Sequence, residues 1–168
     1  MQLYPLTFSP VLQERIWGGR RLATLYGKVL PEGKKIGESW EICDRPEGMS
    51  VIANGKASGK SLRWLMENHG REVVGDEFSP GMRFPLLVKL LDAEDDLSLQ
   101  VHPPANAAKA LQGESKTEFW YVANARTNSC LHAGLKRGVT ASEFERKARD
   151  GTVQDLSLIH ISEPTRPY

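Results

Sequence analysis

Three short segments carry side chains whose types and spacing could do chemistry. The first is Leu97-Ser98-Leu99-Gln100-Val101-His102-Pro103. Read as a strand, it places Leu97, Leu99 and Val101 on one face and Ser98, Gln100 and His102 on the other. Gln100 and His102 can then offer an amide oxygen and an imidazole nitrogen to one cation. That donor set suits zinc or another divalent first-row metal. The competing reading is an ordinary surface or core pair. The second segment is Lys116-Thr117-Glu118-Phe119-Trp120-Tyr121. Lys116, Glu118 and Trp120 share a strand face, so Glu118 could add a carboxylate to the same metal. Lys116 could bind a substrate oxygen or donate a proton. The competing reading is an exposed Lys/Glu pair on an edge strand. The third is Gly37-Glu38-Ser39-Trp40-Glu41, otherwise a half-buried strand whose Trp packs the core.

The elements that must position these residues are short and mostly extended. Gly (15) and Pro (10) punctuate the chain widely, which favours a strand-rich domain. Strands are expected at Leu3 to Phe8 (interrupted by Pro5), Ile36 to Cys43, Met49 to Ala53, Leu86 to Asp92, Leu97 to His102, Thr117 to Ala123 and Ser129 to Gly134. The pair Asn54-Gly55 supplies a turn. A helix is expected from Leu62 to Val74, with Ser61 as N-cap and Leu62, Leu65, Met66, His69 and Val73 at helical spacing. Thr140-Ala141-Ser142-Glu143 is a capping box opening a second helix. A third runs from Ala105 to Leu111 after Pro103-Pro104.

Composition narrows the class. Of 168 residues, 40% are apolar and 26% charged, too apolar for a disordered chain. Lys and Arg number 22 against 21 Asp and Glu, a net charge of +1. That offers no global basic field for nucleic acid or an anionic membrane. No run approaches the ~18 apolar residues of a membrane span. The first ten residues lack a basic region followed by an apolar one, so no signal peptide is expected. Cys43 and Cys130 form no CxxC pair and are expected as free thiols in the cytoplasm.

Taken together, the segments resemble the type I phosphomannose isomerases of the short bacterial kind. The resemblance rests on Ile16-Trp17-Gly18-Gly19, then GESWEI, then FPLLVKLLDA and LSLQVHP, then KTEFWYV. It runs from about Leu6 to about Asp155. It implies a mainly β fold, a cupin-type jelly roll with a few helices, here C-terminally truncated. It also implies one zinc per chain, with Gln100, His102 and Glu118 matching three of its ligands. Trp17 matches a site tryptophan, and Lys89 and Ser98 match positions that help hold a phosphate. Glu38 and Lys116 match a site carboxylate and a site lysine, and both stand as candidates for the acid/base group. The implied reaction interconverts mannose 6-phosphate and fructose 6-phosphate through an enediol, with zinc stabilising the oxyanion. The implied partner is a small sugar phosphate. The alternatives are a non-catalytic cupin module that binds sugar or metal and a metal-dependent oxygenase. A Gln ligand and the Lys116/Glu118 pair argue against the oxygenase.

Parts of the family pattern have no match. The fourth ligand, a later His, is missing, as is a late catalytic Arg. His132 is read as a bystander, and His69 as a core or edge residue of its helix. From Leu156 to Tyr168 the string resembles translated read-through of a sequencing adapter. Residues 1–155 are therefore expected to be the family portion and 156–168 a non-native tail, in which His160 is no ligand. The expectation for such a chain is poor solubility and no isomerase activity.

Overall fold

The computed structural model describes residues 4–161. The start of the first expected strand and most of the expected tail (residues 1–3 and 162–168), together with the side chain of His160, lie outside the described residues. The chain forms two compact units, Met1–Leu97 and Ser98–Tyr168.

The first unit contains, in order, β1 (Phe8–Ser9), β2 (Val11–Gly19), α1 (Arg21–Tyr26), β3 (Ile36–Ile42), β4 (Asp44–Arg45), β5 (Gly48–Met49), β6 (Val51–Ile52), α2 (Leu62–Val74) and β7 (Val88–Leu91). Its main sheet is antiparallel with order β2-β3-β7. β3 is central because neighbours flank it on both sides. Gln13 and Leu91 both stand opposite Glu38, and Val11 and Lys89 both stand opposite Trp40. The side chains of β3 alternate between two faces. Glu38 and Trp40 meet on one face, while Ser39 and Glu41 meet on the other, where the Ser39 hydroxyl donates to Glu41 Oε1 at 2.6 Å.

Close approach of β2 and β3 explains why glycines occur there. A Cβ on Gly18 would strike the backbone of Gly37. A Cβ on Gly37 would lie 2.6 Å from both Arg15 Cβ and Trp17 Cζ3. Only residues without a Cβ let the two chains pass at this distance.

β2 and α1 are absent from the sequence-based expectations. β2 hides its period because its register with β3 shifts after Gln13 and again before Gly19. The expected strand from Met49 to Ala53 is divided in two. Ser50, fully buried, spends its backbone N–H on the Cys43 carbonyl and its carbonyl on the Leu62 N–H, each at 2.8 Å. Its hydroxyl accepts from the Cys43 N–H at 2.8 Å.

The core of this unit is Ile52, Ala57, Leu62, Leu65 and Met66, with Phe8, Ile42, Trp64 and Phe78 packed on it. α2 supplies three of the five, at the spacing its sequence predicts. Its Ser61 cap accepts from the Trp64 N–H at 3.0 Å, worth about 1 kcal/mol. The helix kinks at His69, whose ring packs edge-on to Trp64 and meets Glu72 at 3.0 Å.

The second unit contains α3 (Ala105–Ala110), β8 (Cys130–Leu135), α4 (Ala141–Arg149) and β9 (Ser157–Ile161). β8 and β9 pair antiparallel, with Leu135 opposite Ser157. Thr140 caps α4 by accepting from the Glu143 N–H at 3.2 Å, as the capping box predicts. α3 follows the Pro pair as expected. The strands expected at Leu97 to His102 and Thr117 to Ala123 are not ladder strands. Alternation sets which side chains share a face, but a strand also needs a neighbour to complete its ladder. Neither segment has one among the described residues. Both cysteines are free, Cys43 buried and Cys130 exposed. Among the described residues no helix is long and apolar enough to cross a membrane.

Candidate active site

In the first unit the chemistry gathers around Glu38, which is only 7% exposed. β3 carries it at the centre of the sheet, and each neighbouring element contributes a donor. Lys89 faces Trp40, two residues from Glu38, so the lysine is a diagonal neighbour on the same face and its long side chain reaches the carboxylate. Lys89 Nζ lies 3.0 Å from Oε1, Arg15 Nη2 3.0 Å from Oε2, and Trp40 Nε1 2.9 Å from Oε2. Burial by itself would push this carboxyl up. The hydrogen bonds from Lys89 and Trp40, with the charges of Lys89 and Arg15, outweigh it and hold the group below its ordinary value. Glu38 is therefore a fixed anion. Trp17 lies beside this cluster through Gly37, over which its ring passes.

In the second unit the chemistry gathers around Glu118. Lys116 Nζ lies 2.9 Å from Oε1. Oε2 is 3.4 Å from His102 Nε2 and accepts from Trp120 Nε1 at 3.2 Å. Lys116 dominates the electrostatics. Its hydrogen bond, together with Trp120, its own charge and His102, pulls the Glu118 carboxyl down to about 2 against the opposing effect of burial. Gln100 donates from Nε2 to Ser98 Oγ at 3.3 Å, which leaves its Oε1 as the acceptor end.

A cavity of about 520 Å³ adjoins these residues within the second unit. Gln100, His102 and His132 face it beside an apolar wall that includes Leu135 and Phe144. Glu118 and Lys116 are not among its lining residues. Among the described residues no group of three or more His, Cys, Asp or Glu side chains is placed to hold a metal. A metal centre here would need Gln100 as a donor beside His102 and Glu118.

All the expected site residues but Trp17 thus fall into three contacting sets: Glu38 with Lys89, His102 with Lys116 and Glu118, and Ser98 with Gln100. Arg15 is a partner that sequence reasoning missed, and Trp40 and Trp120 were not named there as donors to the two carboxylates. A signal for both tryptophans was present in the repeated spacing Glu38-x-Trp40 and Glu118-x-Trp120, because residues two apart on extended chain share a face. Arg15 carried no such signal, since a shifted register brings it to Glu38.

The chain matches the family model described as phosphomannose isomerase type I, catalytic domain, over residues 6–119. It is 45% identical over 124 residues to mannose-6-phosphate isomerase ManA of Bacillus subtilis, covering 73% of this chain and 38% of that protein. It is 43% identical over 122 residues to mannose-6-phosphate isomerase of Streptococcus mutans, covering 72% and 37%. Among solved structures, the crystal structure of the mannose 6-phosphate isomerase from Bacillus subtilis aligns with a TM-score of 0.81 at 35% identity, over 98% of this chain and 51% of that one. The chain spans less than half the length of these curated relatives and about half of that crystallised chain.

Proposed function

The chain belongs to the type I phosphomannose isomerase family, and from that premise we propose that it carries site residues of a zinc-dependent aldose–ketose isomerase acting on mannose 6-phosphate and fructose 6-phosphate. The fold is mainly β with a few helices, that of the family's cupin domain. Residues 1–155 are proposed as the family portion of the chain, of which the family model matches residues 6–119.

The observation that carries the proposal is the meeting of His102, Glu118 and Lys116. Two donors each about 2.1 Å from a tetrahedral cation lie roughly 3.4 Å apart. His102 Nε2 and Glu118 Oε2 are separated by 3.4 Å. An imidazole nitrogen, an ionised carboxylate and an amide oxygen, which Gln100 would supply, are donor types that zinc accepts. When bound, zinc supplies a Lewis acid that stabilises the negative charge developing on the enediol oxygen.

The remaining roles belong to the chain's own side chains. Ser98 is proposed as a phosphate-holding position; so, by its family match, is Lys89, whose ammonium here bonds Glu38, and Trp17 is proposed as a sugar-site residue. Lys116 and Glu38 are the two candidates for moving the proton between C1 and C2. Lys116 offers an ammonium donor fixed by Glu118. Glu38 is an ionised acceptor, but its lowered pKa makes it a weak base. A substrate that carries a phosphate crosses no membrane unaided, which supports a cytoplasmic location.

Zinc content per chain and turnover test the reading together, using a coupled assay that detects fructose 6-phosphate. In a protein of the relatives' full length, Gln100→Ala and Glu118→Ala should each lower zinc content and turnover. Zinc stoichiometry unchanged in both variants would remove the ligand assignment. Zinc and sugar phosphate bound without turnover by a protein of that full length would favour a non-catalytic module.

A further inference from the structure

We infer that Trp120 is a positioning residue for the proposed metal centre, orienting the Glu118 carboxylate through its indole N–H. The inference rests on the reading of Glu118 as a ligand and goes beyond it. Glu118 has two oxygens with different neighbours. Oε1 faces Lys116 at 2.9 Å, and Oε2 faces His102 at 3.4 Å. Rotation of the carboxylate would exchange those roles. Trp120 Nε1 sits 3.2 Å from Oε2, and an indole nitrogen is a donor only. It therefore satisfies one lone pair of Oε2 and holds that oxygen toward His102, while Lys116 holds the other oxygen away.

The geometry follows from the chain. Residues 118 and 120 share a face, so the indole need only lean back along its own segment to reach the carboxylate. Trp120 is 46% exposed, so its ring is no buried core element and the N–H contact is its main bond to the site. The same arrangement occurs in the first unit, where Trp40 Nε1 donates to Glu38 at 2.9 Å. Outer partners that fix a ligating carboxylate typically carry about 10- to 100-fold in metal affinity.

The test is competition between the metal-stripped 168-residue chain and a chromophoric chelator for zinc, repeated with cobalt(II), whose visible spectrum reports the ligand geometry. Trp120→Phe keeps the ring and removes the donor. It should weaken zinc binding about 10-fold or more and alter the cobalt spectrum, with thermal unfolding of the metal-free chain unchanged. Trp120→His restores a ring N–H and should recover part of the lost affinity. Equal affinity in wild type and Trp120→Phe overturns the inference. So does an equal loss in the Phe and His variants, which would assign the effect to the bulk of the indole. Glu118→Ala separates the two levels. If it abolishes binding while Trp120→Phe does not weaken it, only the role of Trp120 falls. If Glu118→Ala leaves zinc affinity unchanged, the ligand reading falls and the inference with it.

Discussion

The indole of Trp40 donates to the carboxylate of Glu38, two residues before it on the same strand, at 2.9 Å. Both residues are buried in the middle of a three-stranded sheet, and the bond leaves the carboxylate's other oxygen for Lys89. A buried anion with one neutral and two cationic donors is locked in charge and in orientation.

That lock should appear in the pH dependence of stability. The folded-state pKa of Glu38 lies below its ordinary value, so its contribution is present above the unfolded-state pKa. It is lost as the pH falls through the folded value. Urea unfolding of the wild type should therefore weaken between about pH 5 and the lowered folded pKa. Glu38→Gln should flatten part of that slope and cost about 2 kcal/mol near neutral pH, since Lys89 and Arg15 lose their counter-charge. An identical slope in the variant would mean that Glu38 is not paired in solution.

Glu118 offers a direct titration. Its carboxyl is held down to about 2, chiefly by Lys116. Lys116→Gln removes that ammonium and should move the Glu118 midpoint upward toward the ordinary glutamate range. Side-chain carbon NMR of the metal-free chain reads the midpoint. A value still near 2 in the variant would assign the depression to Trp120 and His102 instead.

The crossing of β2 and β3 predicts intolerance to a single methyl group. In Gly37→Ala the new Cβ meets Arg15 Cβ and Trp17 Cζ3 at 2.6 Å, and the tight sheet leaves little room to yield. Overpacking of this kind costs about 1–3 kcal/mol. The melting temperature should fall accordingly, and Trp17 should be displaced with it. Gly59→Ala is not a neutral control, because Gly59 has a φ of +85°.

Asp44 predicts a second point of fragility. It is 2% exposed and accepts from Arg63 Nε at 3.0 Å, Arg63 Nη2 at 2.5 Å and the Phe84 N–H at 2.7 Å. Arg63 also donates to the Met82 carbonyl at 3.1 Å. The pair thus ties α2 to the segment that leads into β7 and Lys89. Asp44→Asn leaves the guanidinium unpaired and should cost about 3 kcal/mol by chemical denaturation. A loss under about 1 kcal/mol would place the pair in the class of weak surface bridges.

Much of this protein was legible in its residues alone. The motifs from Trp17 to Trp120 suffice for the family, because they keep their order and spacing. Helical spacing and caps located α2 and α4, since Ser61 and Thr140 act on the helix turn that follows them. Alternation placed Glu38 and Trp40 on one face of β3, and Lys116 and Glu118 side by side. The caps, the helical spacing and the alternation are local relations between residues a few positions apart. Tertiary structure decided the rest. It chose Arg15 and Lys89 as the partners of Glu38, brought His102 to Glu118, and cut one expected strand at Ser50. It also left Leu97 to His102 and Thr117 to Ala123 without ladder partners among the described residues. These outcomes depend on strand register, on backbone hydrogen bonds between distant segments and on the room that a missing Cβ leaves. A period of two residues encodes a face, but it does not encode which neighbour that face will meet.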